Sequence, residues 1–164
     1  MDTQDRRTIS RQYFSRERLA EHHFRSFNNF LGRGMQQVVD EKATIETDIG
    51  DKEGQEPVYV ELGDVRIVTP RVREADGSEE LLYPQEARLR NITYAAPVFM
   101  EMAIIKGGEE EEERVVDQTE TKIGRMPIMV GSDKCNIAGF TREELIDIGE
   151  DPADPGGYFI VNGS

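Results

Sequence analysis

The chain has 164 residues, and its 33 Asp or Glu against 20 Lys or Arg give a formal net charge of −13. Apolar residues make up 37% of the composition, and the length suits one domain with a modest core. No apolar run reaches the roughly 18 residues of a membrane helix, and residues 1–10 lack the apolar stretch of a signal peptide. These features predict a cytoplasmic protein with no membrane partner.

The basic residues comprise 15 Arg and only 5 Lys. An acidic surface that prefers arginine indicates adaptation to high salt, where self-repulsion is screened and hydrated carboxylates keep a protein soluble. An ordinary acidic domain is the alternative. In low salt this charge argues against a nucleic-acid binder, but at about 1 M salt the Debye length is about 3 Å and the charge decides little.

Residues 1–14 form a basic leader, either a nucleic-acid arm or, as we favour, a solvated segment. Residues 15–41 are predicted to form an N-terminal helical segment of two helices. Apolar residues follow helical spacing at Ala20, Phe24, Phe27 and Leu31. Ser15 is the expected N-cap, and Asn28 and Asn29 are expected to break the first helix and cap the second.

Residues 42–164 are predicted to form an α+β domain with a mixed, mainly antiparallel sheet. Alternating apolar residues predict strands at 43–49, 58–69, 98–105 and 115–123. Gly63-Asp64 indicates a bulge or a hairpin turn, and Asp76-Gly77-Ser78 a tight turn. The run Glu109–Glu113 favours a solvated hairpin tip over an interaction patch.

Three further local signals lie in this domain. Pro84 fits the first turn of a short helix that ends near Arg90, because its missing N–H costs nothing there. Thr141-Arg142-Glu143-Glu144 has the pattern of a capping box. Residues 158–161 are predicted to form a buried strand, which is followed by an Asn-Gly turn.

No pattern in the sequence points to catalysis. There is no glycine-rich loop ending in Gly-Lys-Ser or Gly-Lys-Thr, and the adjacent His22 and His23 do not have the i, i+4 spacing of a chelating pair. Cys135 is the only cysteine, which excludes an internal disulfide and a thiolate zinc site. A buried structural thiol is favoured over a nucleophile. The residues alone therefore predict a non-catalytic α+β module.

A cluster of acids near the end of the chain raises the question of a calcium site. Its members are Asp147, Glu150, Asp151 and Asp154. The cluster lacks the alternating Asp spacing and the distal Glu of a calcium loop, and Pro152 and Pro155 restrict its backbone. We favour a rigid loop without metal.

Three segments resemble one family. These are residues 83–94 (YPQEARLRNITY), 123–129 (IGRMPIM) and 154–164 (DPGGYFIVNGS). In this order and with these gaps, they resemble the N-terminal region of the second-largest subunits of archaeal and eukaryotic DNA-directed RNA polymerases. The resemblance covers roughly residues 12–164.

The resemblance implies a location rather than a reaction. In the family this region is the first part of the protrusion, an α+β domain that borders the DNA cleft. Its implied partners are the largest subunit, the assembly-platform subunits, initiation factors, and the DNA template and RNA–DNA hybrid region. The active-centre magnesium belongs to the largest subunit and zinc lies elsewhere in the enzyme, so the resemblance implies no cofactor bound by this chain.

The resemblance and the residue types together suggest which residues form a site. Candidate contacts with nucleic acid or partner subunits are Arg88, Arg90, Arg125 and Lys134, although structural ion pairing is the favoured alternative for each arginine. The positions that shape the motifs are Pro84, Asn91, Tyr94, Gly124, Pro127, Asp154, Pro155, Gly156, Gly157, Asn162 and Gly163. Gly156 and Gly157 are expected to adopt positive φ.

Family members are several times longer than this chain, so the resemblance implies that residues 42–164 are the first part of the protrusion, truncated at its C-terminal end. Two hypotheses are therefore open. In the first, the chain is a cleft-lining and subunit-assembly segment of the polymerase. In the second, it is a stand-alone truncated paralogue that binds polymerase subunits or initiation factors.

Overall fold

The computed structural model describes residues 4–8, 16–47, 57–107 and 114–164. The predicted N-cap at Ser15, the end of the first predicted strand at residues 48–49 and the predicted tip at Glu109–Glu113 lie outside the described residues. Of the basic leader, residues 4–8 are described, and they are helical.

Helix α1 spans Arg16–Asn29 and is followed by a π-helical turn, Phe30–Gly34, and by helix α2, Met35–Asp40. Strands β1 to β4 span Thr44–Glu46, Val58–Ile67, Arg71–Arg73 and Glu79–Leu81. Helix α3 is Pro84–Leu89, strands β5 and β6 are Ala95–Lys106 and Arg114–Pro127, and helix α4 is Arg142–Asp147. These elements confirm the predicted α+β class.

The chain divides into two compact units. Unit 1 comprises residues 1–29, 69–96 and 127–164, and unit 2 comprises residues 30–68 and 97–126. Each unit draws on separate stretches of the sequence, so neither could be delimited by a single boundary along the chain.

Unit 1 contains α1, the β3–β4 hairpin, α3 and α4. The hairpin turns at Gly77, whose φ of 90° confirms the tight turn predicted there. The core of unit 1 is formed by its largest fully buried side chains, which are Tyr94, Leu82, Ile128, Ile160, Pro70, Pro84 and Ser132. Helix α1 packs through Phe27, whose ring meets that of Phe159 edge to face at 5.2 Å between centroids.

Unit 2 is built on an antiparallel sheet in the order β1-β2-β5-β6. Strand β2 pairs with β5 from Val58 opposite Lys106 to Ile67 opposite Val98. The register shifts between Leu62 and Val65, so Gly63-Asp64 is a bulge within one strand and not a hairpin turn. The extra residue of a bulge bends the strand and increases its twist.

The predicted helix break at Asn28 and Asn29 is wrong in detail. The helix continues through Asn29 into the π-helical turn, and α2 has Gly34 at its N-cap position with no side-chain capping bond. The Asn28 Oδ1 atom instead accepts a hydrogen bond from the Asp133 amide at 3.1 Å. Asn28 therefore makes a tertiary hydrogen bond instead of a helix cap, and the spacing of residues in the sequence does not reveal such a bond.

The predicted buried strand at residues 158–161 is also wrong. This segment does not form a strand, and of its four residues only Ile160 is buried. Its backbone makes single bonds to two neighbours, from Tyr94 N to Ile160 O and from Val130 N to Tyr158 O. The segment is flanked by residues with positive φ, which are Gly156 and Gly157 before it and Asn162 and Gly163 after it. The extended chain between them is too short to form the hydrogen-bond ladder of a strand.

The local predictions are confirmed. Helix α3 begins at Pro84, as its first-turn position predicts. Thr141 caps α4: the Glu144 amide donates to Thr141 Oγ1 at 3.3 Å, and the Thr141 amide donates to Glu144 Oε2 at 2.7 Å. The backbone bond lowers the pKa of Glu144, because it favours the carboxylate.

Candidate functional site

Two motif segments, residues 83–94 and 154–164, meet in unit 1 with residues 127–136, which overlap only the end of the motif at 123–129. The three segments meet through their backbones. The Ile128 amide donates to Tyr94 O at 2.9 Å, and the Tyr94 amide donates to Ile160 O at 3.0 Å. The Val130 amide donates to Tyr158 O at 2.9 Å, so the 127–136 and 154–164 segments also bond each other directly. We call this meeting point the motif junction.

Tyr94 lies at the centre of the motif junction and is fully buried. Its hydroxyl accepts a hydrogen bond from the Asn136 amide at 2.9 Å and lies 3.3 Å from Cys135 Sγ. Burial is the main cause that raises the pKa of Tyr94 well above its ordinary value. The hydroxyl therefore stays neutral and serves as a structural hydrogen-bonding group.

The end of helix α3 packs closely against the turn at Asn162 and Gly163. Asn91 follows the helix with a φ of 54° and Asn162 has a φ of 52°. A Cβ at Gly163 would lie 2.7 Å from the Asn91 Cα atom, and the Gly163 amide donates to Ile92 O at 3.1 Å. Only glycine fits this close approach at position 163.

Gly156 and Gly157 form a second close contact, on the side facing helix α1. Their φ angles of 66° and 86° confirm the predicted left-handed conformation. A Cβ at Gly156 would lie 2.5 Å from Val130 O, and one at Gly157 would lie 2.9 Å from Ala20 Cβ. The glycine pair therefore lets the loop approach both the 127–136 segment and α1.

Arg88 is held within a polar cluster rather than presented to solvent. Its side chain is 29% exposed, and its guanidinium lies 3.5 Å from Glu150 Oε2 and 3.5 Å from Asp154 Oδ2. It also donates to the Tyr158 hydroxyl, which in turn donates to Asp154. The structure thus brings together the predicted site residues Arg88 and Asp154.

Two members of this Arg88 cluster have perturbed pKa values. Burial raises the pKa of Glu150, although the hydrogen bond from the Gln85 amide at 2.6 Å and the charge of Arg88 oppose the shift. Burial, followed by the hydrogen bond to Asp154, raises the pKa of Tyr158 to about 12. Asp154 also fixes its own loop, because its Oδ1 atom accepts from the Gly156 amide at 2.9 Å.

Arg90 lies two residues further along and faces a different set of acids. It pairs with Glu74 at 2.6 Å and with Glu86 at 2.9 Å, and 43% of its side chain is exposed. The bond to Glu74 is the main cause that raises its pKa. Arg88 in α3 and Arg90 just after it therefore both make ion pairs, the alternative that the sequence favours.

The other predicted residues lie apart from this cluster. Arg125 and Gly124 are exposed on strand β6 in unit 2. Lys134 is half-buried beside Cys135 in unit 1, and Cys135 is buried, as a structural thiol should be. Pro127 ends β6 and Pro155 is exposed in the Asp154 loop.

Sequence reasoning missed Asn136, which joins two segments of the unit 1 core. Its Nδ2 atom donates to Pro70 O at 2.8 Å and to Leu82 O at 2.7 Å, and its backbone amide donates to Tyr94. A single asparagine in a polar stretch gives no signal of such a role. Glu150 was noticed only as an acid of the calcium alternative, whereas its partners are Gln85 and Arg88.

Within the described ranges, no group of three or more His, Cys, Asp or Glu side chains is arranged to hold a metal ion. Glu150 and Asp154, the two acids closest to Arg88, are engaged by protein donors. The same ranges contain no helix long and apolar enough to cross a bilayer.

Comparison with known proteins assigns the chain to a family. The family described as RNA polymerase beta subunit matches residues 18–164. The chain is 81% identical over 161 residues to DNA-directed RNA polymerase subunit Rpo2N of Halobacterium salinarum, and 44% identical over 154 residues to Rpo2N of Methanothermobacter thermautotrophicus. It is 42% identical over 160 residues to subunit Rpo2 of Saccharolobus solfataricus.

These alignments cover 98%, 93% and 98% of this chain but only 31%, 27% and 13% of the respective relatives. The chain thus spans about a third of the length of the halobacterial relative. The match confirms the resemblance to the N-terminal region of the archaeal second-largest subunit, and the chain belongs to the RNA polymerase beta subunit family.

Proposed function

We propose that this chain is a non-catalytic, cleft-lining and subunit-assembly segment of the second-largest subunit of a DNA-directed RNA polymerase. The observation that carries this proposal is the family match over residues 18–164. The motif junction supports it, because the segments that carry the resemblance are used for packing and backbone bonding. A scaffold needs such a fixed arrangement, whereas a catalytic centre needs groups that face a substrate.

The proposed partners are the largest subunit, the assembly-platform subunits, initiation factors, and the DNA template with its RNA–DNA hybrid. Magnesium for nucleotidyl transfer and zinc would be held outside this chain, and the assembled enzyme would act in the cytoplasm. Residues 42–164 would form the first part of the protrusion-type domain, after the leader at 1–14 and the helical segment at 15–41.

The four candidate contact residues have different surroundings, which suggest different roles. Arg125 is exposed, Lys134 is half-buried and Arg90 is 43% exposed, so these three would contact nucleic acid phosphates or partner subunits. Arg88 already contacts Glu150, Asp154 and Tyr158 and would act as a positioning residue that holds the motif junction. Phosphate contacts of this kind position nucleic acid without reading its sequence.

Affinity purification at high salt tests the proposal. The tagged natural protein that contains this segment should co-purify with the largest subunit in a fraction that synthesises RNA from a DNA template. Purification without any polymerase subunit would refute the proposal. Co-purification with polymerase subunits only in fractions that lack RNA synthesis would favour the paralogue hypothesis instead.

A further inference from the structure

A pocket of about 460 Å³ opens in unit 2 between two irregular stretches of backbone. One side is the π-helical turn, which contributes Leu31 and Gly32, and the other is the bulge of β2, which contributes Asp64 and Val65. The volume lies within the roughly 300–1,000 Å³ of small ligand sites. Both π-helical turns and β-bulges are frequent at functional sites.

Gln36 fastens the two sides of the pocket to each other. Its Nε2 atom donates to Gly63 O at 3.3 Å, and its Oε1 atom accepts from the Val65 amide at 2.9 Å. These bonds satisfy two backbone groups that the bulge removes from the strand ladder. The pocket is therefore held open by a specific side chain.

The one cation among the described residues of the pocket is already neutralised. Arg66 donates from Nε and Nη2 to the two carboxylate oxygens of Glu120, at 2.9 and 2.8 Å, and its guanidinium lies 4.9 Å from the centroid of the Phe99 ring. Bidentate pairing of this kind fixes the arginine in place. These lining residues thus offer no free positive charge to a phosphate or a nucleic-acid backbone.

The remaining lining favours an amphipathic cation. The carboxylates of Asp64 and Glu101 form no hydrogen bond or ion pair within the part of the chain that the structure describes. Three carboxylates against one guanidinium leave the lining with a formal charge of −2. Leu31 and Val65 add half-buried apolar surface, which suits the alkyl stem that lysine and arginine carry behind their charge.

We propose that this pocket receives a lysine or arginine side chain from a partner polypeptide, with the cation at Asp64 and Glu101 and the alkyl stem against Leu31 and Val65. Charge complementarity selects a basic protein segment over nucleic acid, which the net negative lining repels. The inference rests on the proposed function in one respect only, which is that the partner polypeptide belongs to the polymerase.

Labelling of a thiol at Gly32 in the assembled polymerase tests the pocket. The site accepts a side chain, because a Cβ at Gly32 meets no atom within 4 Å. The Gly32→Cys thiol should react with a maleimide at least about tenfold more slowly in the complex than in the free subunit. Val38→Cys on helix α2, where 61% of the valine is exposed, serves as a matched control for general shielding.

The carboxylates are tested in the same Gly32→Cys background. Adding Asp64→Asn and Glu101→Gln should restore labelling in the complex by at least about fivefold, whereas Glu143→Gln, on helix α4, should not. A photocrosslinker at position 32 should capture a polypeptide segment that contains lysine or arginine. Equal labelling in the free subunit and the complex, or capture of nucleic acid, would overturn the inference while leaving the subunit's co-purification with the polymerase intact.

Discussion

Single residues in unit 1 show how polar groups of the recognised motifs are used for structure. Arg88 in α3 and Arg90 just after the helix are two positions apart. Arg88 meets the buried Glu150, whereas Arg90 meets the more exposed Glu74 and Glu86. A buried carboxylate that loses its cation retains its full desolvation cost, whereas an exposed ion pair contributes little. The two arginines should therefore differ sharply in their effect on stability.

We expect Arg88→Ala to lower the free energy of unfolding by about 2 kcal/mol, because Glu150 then stays buried without its cation. The value lies below that of a fully buried pair because the Arg88 side chain is 29% exposed. Arg90→Ala, the matched control just after the same helix, should cost less than about 1 kcal/mol. Denaturant unfolding at 3 M KCl measures both, and equal losses would contradict the assigned role of Arg88.

Tyr158 should make stability depend on alkaline pH. An unfolded tyrosine titrates near its ordinary pKa of 10.0, whereas the pKa of Tyr158 is raised to about 12 in the fold. The fold thus favours the protonated hydroxyl, and the stabilisation is fully present below pH 10 and is lost as pH rises toward 12. Tyr158→Phe should flatten the fall in unfolding free energy between pH 9 and 11.5, and an unchanged slope would refute this assignment. Tyr94, whose pKa is raised in the same direction, contributes to the slope that remains.

At the scale of elements, the close approaches depend on glycines in the left-handed region. Gly139 and Gly156 have similar φ angles of 79° and 66°. A Cβ at Gly139 would meet no atom within 4 Å, whereas one at Gly156 would meet Val130 O at 2.5 Å. Alanine substitutions at these two positions therefore distinguish the cost of backbone strain, which both would incur, from the cost of steric overlap, which only Gly156 would incur.

We predict that Gly139→Ala costs about 1 kcal/mol from its φ alone. Gly156→Ala should cost about 3 kcal/mol or more, because the loop must also move away from the 127–136 segment. Thermal unfolding of the two variants tests the difference. Similar melting temperatures would show that the Gly156 contact is not tight in solution.

The capping box of α4 makes a smaller, local prediction. Thr141→Ala removes the oxygen that accepts from the Glu144 amide and should lower the free energy of unfolding by about 1 kcal/mol. Thr141→Ser keeps that oxygen and should stay within a few tenths of a kcal/mol of the parent. Denaturant unfolding of both variants checks the prediction, and equal losses would show that the cap contributes nothing.

Elements whose signals are local could be predicted from the sequence. Pro84 predicted the start of α3, Thr141 and Glu144 predicted the cap of α4, and the bulge at Gly63-Asp64 was among the stated alternatives. Tertiary choices could not be predicted. Asn28 bonds Asp133, more than 100 residues away, and the apolar run at 158–161 packs without a strand partner because turn residues flank it on both sides.

The candidate site follows the same division between local and distant contacts. The resemblance supplies the motif positions, and residue types favour the ion pairing that Arg88 and Arg90 make. The convergence of the three segments on Tyr94 and the use of Asn136 depend on contacts between residues far apart in the sequence, from Ile128 with Tyr94 to Asn136 with Pro70. No pattern within one segment encodes such contacts.

At the scale of the whole molecule, the net charge of −13 and the 81% identity to a Halobacterium subunit agree with a surface adapted to salt. Self-repulsion among surface carboxylates weakens as the Debye length falls from about 10 Å at 0.1 M to about 3 Å at 1 M. We expect the helix and strand signal in circular dichroism to grow between 0.1 and 3 M KCl. Full folding at the lower concentration would refute salt adaptation.

The central claim is that this chain serves assembly and carries no catalytic residue. The most direct test is a polymerase reconstituted with the natural subunit that contains this segment, with or without Arg88→Ala. Both the yield of assembled enzyme and the rate of nucleotide addition per assembled enzyme are measured. We predict a clear fall in yield with an unchanged rate per enzyme, whereas normal yield with a tenfold or greater loss of rate would contradict the account.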